Sequence, residues 1–279
     1  MKIAVLGSGT MGNGIAQVLA TAGYEVVLQD LEQAVLDRAR SNITTNLERV
    51  FKKKGLPPEE APAVNQRITY TTDLNLFREA DVVVEAIVEQ MEVKKKVFRE
   101  LDRICEEKTI FASNTSGLSI TELGAATNRP NRVIGMHFFN PVPVMKLVEI
   151  IRTEDTSEET YQTISGLAKS IEKEGITVQD SPLFVVNRIL VPMINEAIFV
   201  LGEGLASAED IDKGMELGAN HPIGPLALAD LIGLDTFLFV AETLLNETGD
   251  SKYRVPHLLK KLVRAGHLGR KTGKGFYQY

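Results

Sequence analysis

The chain has 279 residues, 44% of them hydrophobic and 24% charged, and a net charge of −6. That mix is ordinary for a soluble globular protein and is long enough for one large or two modest domains. It argues against a nucleic-acid partner, the lone Cys105 rules out an internal disulfide, and no apolar run reaches the length of a membrane span.

Lys2–Leu6 is a short apolar run and predicts a strand buried on both faces. With a strand and a glycine turn at the N-terminus, no signal peptide is expected, and the expected location is the cytoplasm. Gly7, Ser8, Gly9, Thr10, Met11 and Gly12 come next. A helical pattern over 13–22 follows, Gly23 stops it, and a second strand over 25–29 ends on Asp30. Two glycines, a third three residues on, and an acid after the next strand form the pattern of a dinucleotide-binding turn. Gly7 turns the chain, Gly9 admits a pyrophosphate, and Gly12 lets the helix pack close to the sheet. Backbone N–H groups near Thr10 and Met11 face the phosphates at the helix N-terminus. Asp30 can accept from both ribose hydroxyls, and a 2′-phosphate would meet its like charge with only Leu31 beside it. NAD is therefore expected rather than NADP. The plainer alternative is a βα turn whose glycines serve geometry alone.

Residues 32–54 are helical in pattern, with Val35, Ala39, Ile43, Leu47 and Val50 on one face and Lys52, Lys53 and Lys54 at the end. By position alone those lysines complement the helix dipole, and the other reading is a grip on a phosphorylated ligand. A helix is expected over 57–67, a strand over 68–70, a short helix over 74–79 and a central strand over 81–86. Val93, Val97, Leu101 and Ile104 mark the next helix, with Cys105 as core filler. Glu89 and Lys94 near its start either flank the nicotinamide ribose or are exposed helix-end charge.

A strand over 109–112 delivers Ser113, Asn114, Thr115, Ser116 and Gly117 to its carboxyl end, where open α/β sheets bind ligands. The same polar run could merely cap the helix beginning near Ile120, through Ser119 or Thr121. Strands are expected over 132–136 and 147–151, and so short a link between them demands an antiparallel pair. His137 and Glu149 then face one another. Imidazole titrates near neutrality, and a carboxylate on its other nitrogen would fix the tautomer, as acid–base catalysis requires. A core histidine paired for structure has the same residues, and the pattern alone leaves both readings open. A helix over 156–174 and a last strand over 176–178 complete this half. Beyond Pro182 only helical patterns remain, over 186–201, 208–217, 225–231, 235–246 and 255–265. The expected boundary is there, with domains 1–182 and 183–279.

Longer motifs point to a family. The runs 113–116, 135–141 and 143–149, then 184–188, 221–226 and 268–277, together resemble the 3-hydroxyacyl-CoA dehydrogenase family along the whole chain, in particular its short-chain bacterial branch. The resemblance implies a Rossmann-type doubly wound α/β domain that binds NAD and an all-helical C-terminal domain for substrate and dimerisation. It implies interconversion of (S)-3-hydroxybutyryl-CoA and acetoacetyl-CoA in a cleft between the domains. His137 takes the position of the general acid–base and Glu149 that of its partner. Ser116 and Asn187 match groups that hold the reacting oxygen and the acyl portion. Asn114, Asn140, Glu89, Lys94 and Lys271 match cofactor contacts, and Lys53 a contact to the CoA phosphates. No metal is implied. Two positions depart from the family: Gly117 stands where serine is usual, and Leu183 where glycine is usual. The second puts the path into Asn187 in question. Rival readings are a sugar-acid dehydrogenase, for a substrate such as gulonate, and a nucleotide-binding structural protein like some lens crystallins. A redox-sensing regulator would need a DNA-binding module, for which neither end of the chain leaves room.

Overall fold

Short apolar runs separated by helical ones build parallel strands with crossover helices, because a parallel pair cannot be closed by a tight turn. The computed structural model describes residues 1–55, 57 and 61–279, which divide into two compact units, Met1–Asp180 and Ser181–Tyr279.

The first unit holds one eight-stranded sheet: β1 (Lys2–Leu6), β2 (Glu25–Gln29), β3 (Ile68–Thr71), β4 (Val82–Glu85), β5 (Ile110–Ser113), β6 (Val133–Phe138), β7 (Leu147–Arg152) and β8 (Glu174–Gln179). Their order is β3-β2-β1-β4-β5-β6-β7-β8. Neighbours are parallel except β6 and β7, which are antiparallel as their short link requires. The order reverses between β1 and β4, the switch point beside which such sheets bind ligands. Among the described residues the α-helices that accompany the sheet are α1 (Thr10–Thr21), α2 (Gln33–Lys54), α3 (Ala61–Asn65), α4 (Met91–Ile104), α5 (Ile120–Gly124) and α6 (Glu158–Ser170). Ile3, Val5, Leu28, Val82 and Val84 from the strands pack with Ile15, Leu19 and Ile43 from α1 and α2.

Several expectations need correction. Helix α1 begins at Thr10, not residue 13. The inward face of α2 runs through Leu36, Ala39, Ile43, Leu47 and Phe51, while Val35 and Val50 are only partly covered. The two stripes lie one residue apart, and the longer side chains fill the core. In α4 the buried positions are Lys94, Phe98 and Leu101, with Val93 exposed. Of the helix expected over 57–67, residues 58–60 lie outside the described ones; Pro57 is in no element, and the helical part is α3. The short helix over 74–79 is a 3-10 turn over Leu74–Phe77. Helix α6 stops at Ser170, since Glu172 takes a left-handed φ of 58° and the chain re-enters the sheet at Glu174. Cys105 is buried beyond the end of α4, where burial pushes its thiol up to about 11.

The second unit contains α7 (Val186–Gly202), α8 (Ala208–Gly218), α9 (Pro225–Ile232), α10 (Leu234–Thr248) and α11 (His257–Arg264). Ile194, Ile198, Leu226, Phe237 and Leu244 are central to its core. Two buried carboxylates organise its chain ends. Asp212 on α8 accepts from the Leu226 and Ala227 amides at 2.8 Å each and from the Tyr277 hydroxyl at 2.8 Å. Asp230 on α9 accepts from the Phe276 and Tyr277 amides at 3.0 Å each and from the Tyr279 hydroxyl at 3.1 Å. Leu183 and Phe184, at the start of this unit, have φ of 61° and 58° and are buried. Leucine thus takes up the left-handed conformation for which glycine is usual, and the chain continues into α7 with Asn187 in its first turn.

Candidate active site

Residues at the carboxyl ends of β1, β2, β4, β5 and β6 make up the site. Gly7 has φ of 91°, and a Cβ there would lie 2.7 Å from the Ala86 carbonyl oxygen. A Cβ on Gly12 would lie 1.8 Å from the Gly7 carbonyl oxygen and 3.5 Å from Val5, so this glycine serves the turn first and the sheet second. Gly9 is different, since the space where its Cβ would be is open to 4 Å. It is also the N-cap of α1, with no side chain capping the helix and no acid in its first turn. Open space beside uncapped helix amides fits a pyrophosphate. A cavity of about 350 Å³ lies against Ser8, Gly9 and Thr10 and is bounded by Arg38 and Asn42 on α2 and by Asn140.

Asp30 is bound to this turn. Its Oδ2 accepts from the Ser8 amide and hydroxyl, both at 2.8 Å, and its Oδ1 accepts from the Leu31 amide at 2.8 Å. A carboxylate has about four acceptor sites, so roughly one remains, on Oδ1. The expectation that Asp30 takes both ribose hydroxyls narrows to one while Ser8 holds its place.

Lys94 is not exposed helix-end charge. Its side chain is 1% exposed, and Nζ lies 2.6 Å from Glu85 Oε1 and 3.3 Å from Glu89 Oε2. Glu85, fully buried, also accepts from the Ser113 hydroxyl at 2.6 Å and from the Ile87 amide at 2.7 Å. Glu89 Oε1 accepts from the Thr115 hydroxyl at 2.5 Å and the Ser116 amide at 2.8 Å. The expected cofactor pair, Glu89 and Lys94, is therefore joined to the loop of the expected substrate contact Ser116. Ser113 belongs to the polar run expected at this edge; Glu85 was not singled out from the sequence, although an acid closing an apolar strand was a usable signal. Asn114 Oδ1 accepts from the Phe138 amide at 2.8 Å and ties the end of β5 to β6. Ser119 rather than Thr121 caps α5, and Asp180 accepts from Ser119 and from the Thr121 amide. Gly117 does not have a positive φ, so the backbone itself does not demand glycine there.

His137 and Glu149 are directly opposed in the β6–β7 register. The imidazole Nδ1 lies 2.7 Å from Glu149 Oε2, with side-chain exposures of 5% and 0%. Such a pair can hold an imidazole in one tautomer and stabilise its cation while a proton moves at the other nitrogen. The other expected residues are placed as follows. Asn140 is exposed in the link after β6, and Lys53 is exposed in the last turn of α2. Asn187 and Lys271 belong to the second unit, where Lys271 Nζ is 2.6 Å from Asp235 Oδ1. That ammonium holds the Asp235 carboxyl below the usual range despite some burial. Among the described residues no group of three or more His, Cys, Asp or Glu side chains is arranged to hold a metal ion.

A doubly wound sheet with this turn, and with a buried imidazole–carboxylate pair at the same edge, defines a dinucleotide-linked dehydrogenase. Residues 2–181 match the family model for the 3-hydroxyacyl-CoA dehydrogenase NAD binding domain, and residues 184–279 match the model for the C-terminal domain of the same family. The chain belongs to the 3-hydroxyacyl-CoA dehydrogenase family. It is 50% identical to 3-hydroxybutyryl-CoA dehydrogenase of Clostridioides difficile, covering 100% of this chain and 99% of that one. It is 43% identical to human mitochondrial hydroxyacyl-coenzyme A dehydrogenase, covering 99% and 90%. The crystal structure of (S)-3-hydroxybutyryl-CoA dehydrogenase from Ralstonia eutropha superposes with a TM-score of 0.97 at 51% identity, covering 100% and 98%.

Proposed function

We propose that this chain interconverts (S)-3-hydroxybutyryl-CoA and acetoacetyl-CoA with NAD, and that His137 is the general acid–base. The carrying observation is the Nδ1–Oε2 distance of 2.7 Å between His137 and Glu149, both buried at the sheet edge. When bound, NAD supplies the hydride acceptor, and NADH the donor. His137 donates its Nδ1–H to Glu149, which leaves Nε2 to draw the proton from the 3-hydroxyl of the substrate. In reduction the same nitrogen returns that proton to the developing alkoxide. Glu149 stabilises the intermediate imidazolium, and proton transfer of this kind contributes on the order of 10²–10⁴-fold. The Ser116 hydroxyl holds the reacting oxygen, and Asn187 the acyl portion. Lys53 meets the CoA phosphates, while Glu89, Lys94, Asn114, Asn140 and Lys271 serve the cofactor. These roles follow from the family resemblance, and the Glu89–Ser116 hydrogen bond supports a common site for two of them.

We further propose that residues 1–182 bind the cofactor, that residues 183–279 serve substrate and dimerisation, and that the protein works in the cytoplasm. The exposure of Ile189, Leu205, Leu217 and Phe239 in the second unit supports dimerisation, since a second copy would cover apolar side chains. No described helix is long and apolar enough to cross a membrane.

The test is NADH oxidation with acetoacetyl-CoA, repeated with NADPH, against NAD reduction by free sugar acids and by 3-hydroxybutyryl-CoA. Rapid turnover is expected only with the two CoA thioesters and with NADH or NAD. Preference for a free hydroxy acid would overturn the substrate, and preference for NADPH would overturn the reading of Asp30.

A further inference from the structure

Glu85 lies outside the proton-transfer pair and the phosphate turn, yet it is fully buried and accepts from three donors. It closes β4, where its register partners are Leu6 at the end of β1 and Ser113 at the end of β5. Three donors converge on it: the Lys94 ammonium and Ile87 amide on Oε1, and the Ser113 hydroxyl on Oε2. Taking a lysine and a glutamate out of water costs several kcal/mol per ion in effective terms, and an apolar pair of similar volume is often as stable or more so. Stability alone is therefore a poor reason for the pair.

The arrangement offers a different one. Lys94 Nζ bridges buried Glu85 and Glu89, whose side chain is 33% exposed. The second oxygen of Glu89 receives the Thr115 hydroxyl and the Ser116 amide. We infer that Glu85 is a positioning residue: it fixes the Lys94 ammonium so that Lys94 orients the Glu89 carboxylate toward the dinucleotide. Glu85 thereby holds Lys94 in place beside Glu89, where both serve the cofactor, and Ser113 holds the far side of Glu85. This rests on the reading of the edge as an NAD site, and it needs no particular acyl substrate.

The test is the NADH Kd measured by nucleotide fluorescence without acyl-CoA, together with Tm, for Glu85→Gln, Ser113→Ala and Glu85→Gln/Lys94→Met. Glutamine keeps an acceptor for the Ile87 amide but removes the charge that holds Lys94. Loss of one charge-assisted bond is expected to raise Kd about tenfold in Glu85→Gln and about twofold to threefold in Ser113→Ala. The double variant removes both buried charges, so its Tm is expected to recover toward wild type while its Kd stays raised. A pair that serves stability alone would restore both together, and that result overturns the proposal. If Glu85→Gln does not fold, the other two variants decide, and a wild-type Kd in both overturns it. A wild-type protein that does not bind NADH would overturn the underlying site reading. A wild-type Kd in folded variants overturns only the role of Glu85.

Discussion

In the first unit the buried carboxylates Glu85 and Glu149 face an ammonium and an imidazole. In the second, Asp212 and Asp230 are also buried and face backbone amides and tyrosine hydroxyls. The partners decide the use. An acid beside an imidazole can govern where a proton sits, whereas an acid beside amides stitches segments together. Asp230 joins the C-terminal residues 276–279 to α9, and Asp212 joins the start of α9 and Tyr277 to α8. Burial and the neighbouring Asp212 keep the Tyr277 hydroxyl protonated well above its ordinary range, so it remains a donor. Burial alone does not mark a catalytic acid; the chemistry of what faces it does.

The largest expected effect breaks the comparison at its active end. His137→Ala is expected to lower kcat for acetoacetyl-CoA reduction by about 10³-fold, with NADH affinity near wild type and a lower Tm because Glu149 is left buried without the imidazole. Loss of NADH binding in a folded His137→Ala protein would mean that the pair maintains the nucleotide site rather than moving a proton. Next comes Asp230→Ala, which strands two amides and is expected to cost about 3 kcal/mol in denaturant unfolding while leaving the NADH Kd unchanged. Weakened NADH binding at unchanged stability would erase the distinction between the two units. The smallest effect concerns Asp102. Burial would raise this carboxyl, but hydrogen bonds from Asn128 and Arg129 outweigh it and hold the group below the usual range. A lowered folded pKa gives stability that is present above the unfolded value near pH 4 and is lost as pH falls through the folded one. Asp102→Asn is therefore expected to flatten the acid limb of Tm against pH below about pH 4. An unchanged limb would show that charge pairing in the first unit matters at the sheet edge alone.

Much of this was readable because the period of the apolar residues and the length of each link carry it. The His137–Glu149 opposition followed from a link too short for a crossover, and NAD binding from glycines set between strand and helix. The face of α2 was harder, since Val35 and Leu36 head adjacent stripes and only packing selects between them. The end of α6 was hidden, because Glu172 turns left-handed without a glycine or proline to announce it. The burial of Lys94 was not legible for a general reason. A lysine in a helical pattern reads as solvated unless its counter-charge is known, and that charge is nine residues earlier on a different element. Roles for Lys53, Asn187 and Lys271 came from family likeness, as lone exposed or helix-borne residues have no local signature.

Leu183 and Phe184 carry a consequence for how the molecule is held together. A left-handed residue with a side chain costs roughly 1–2 kcal/mol, and here two occur in succession. Leu183 packs within the core of the helical unit, so its conformation is sustained by that packing and not by the chain's own preference. The two residues therefore hold this conformation at the expense of the helical core, and a change that loosens the packing around Leu183 takes away what sustains it.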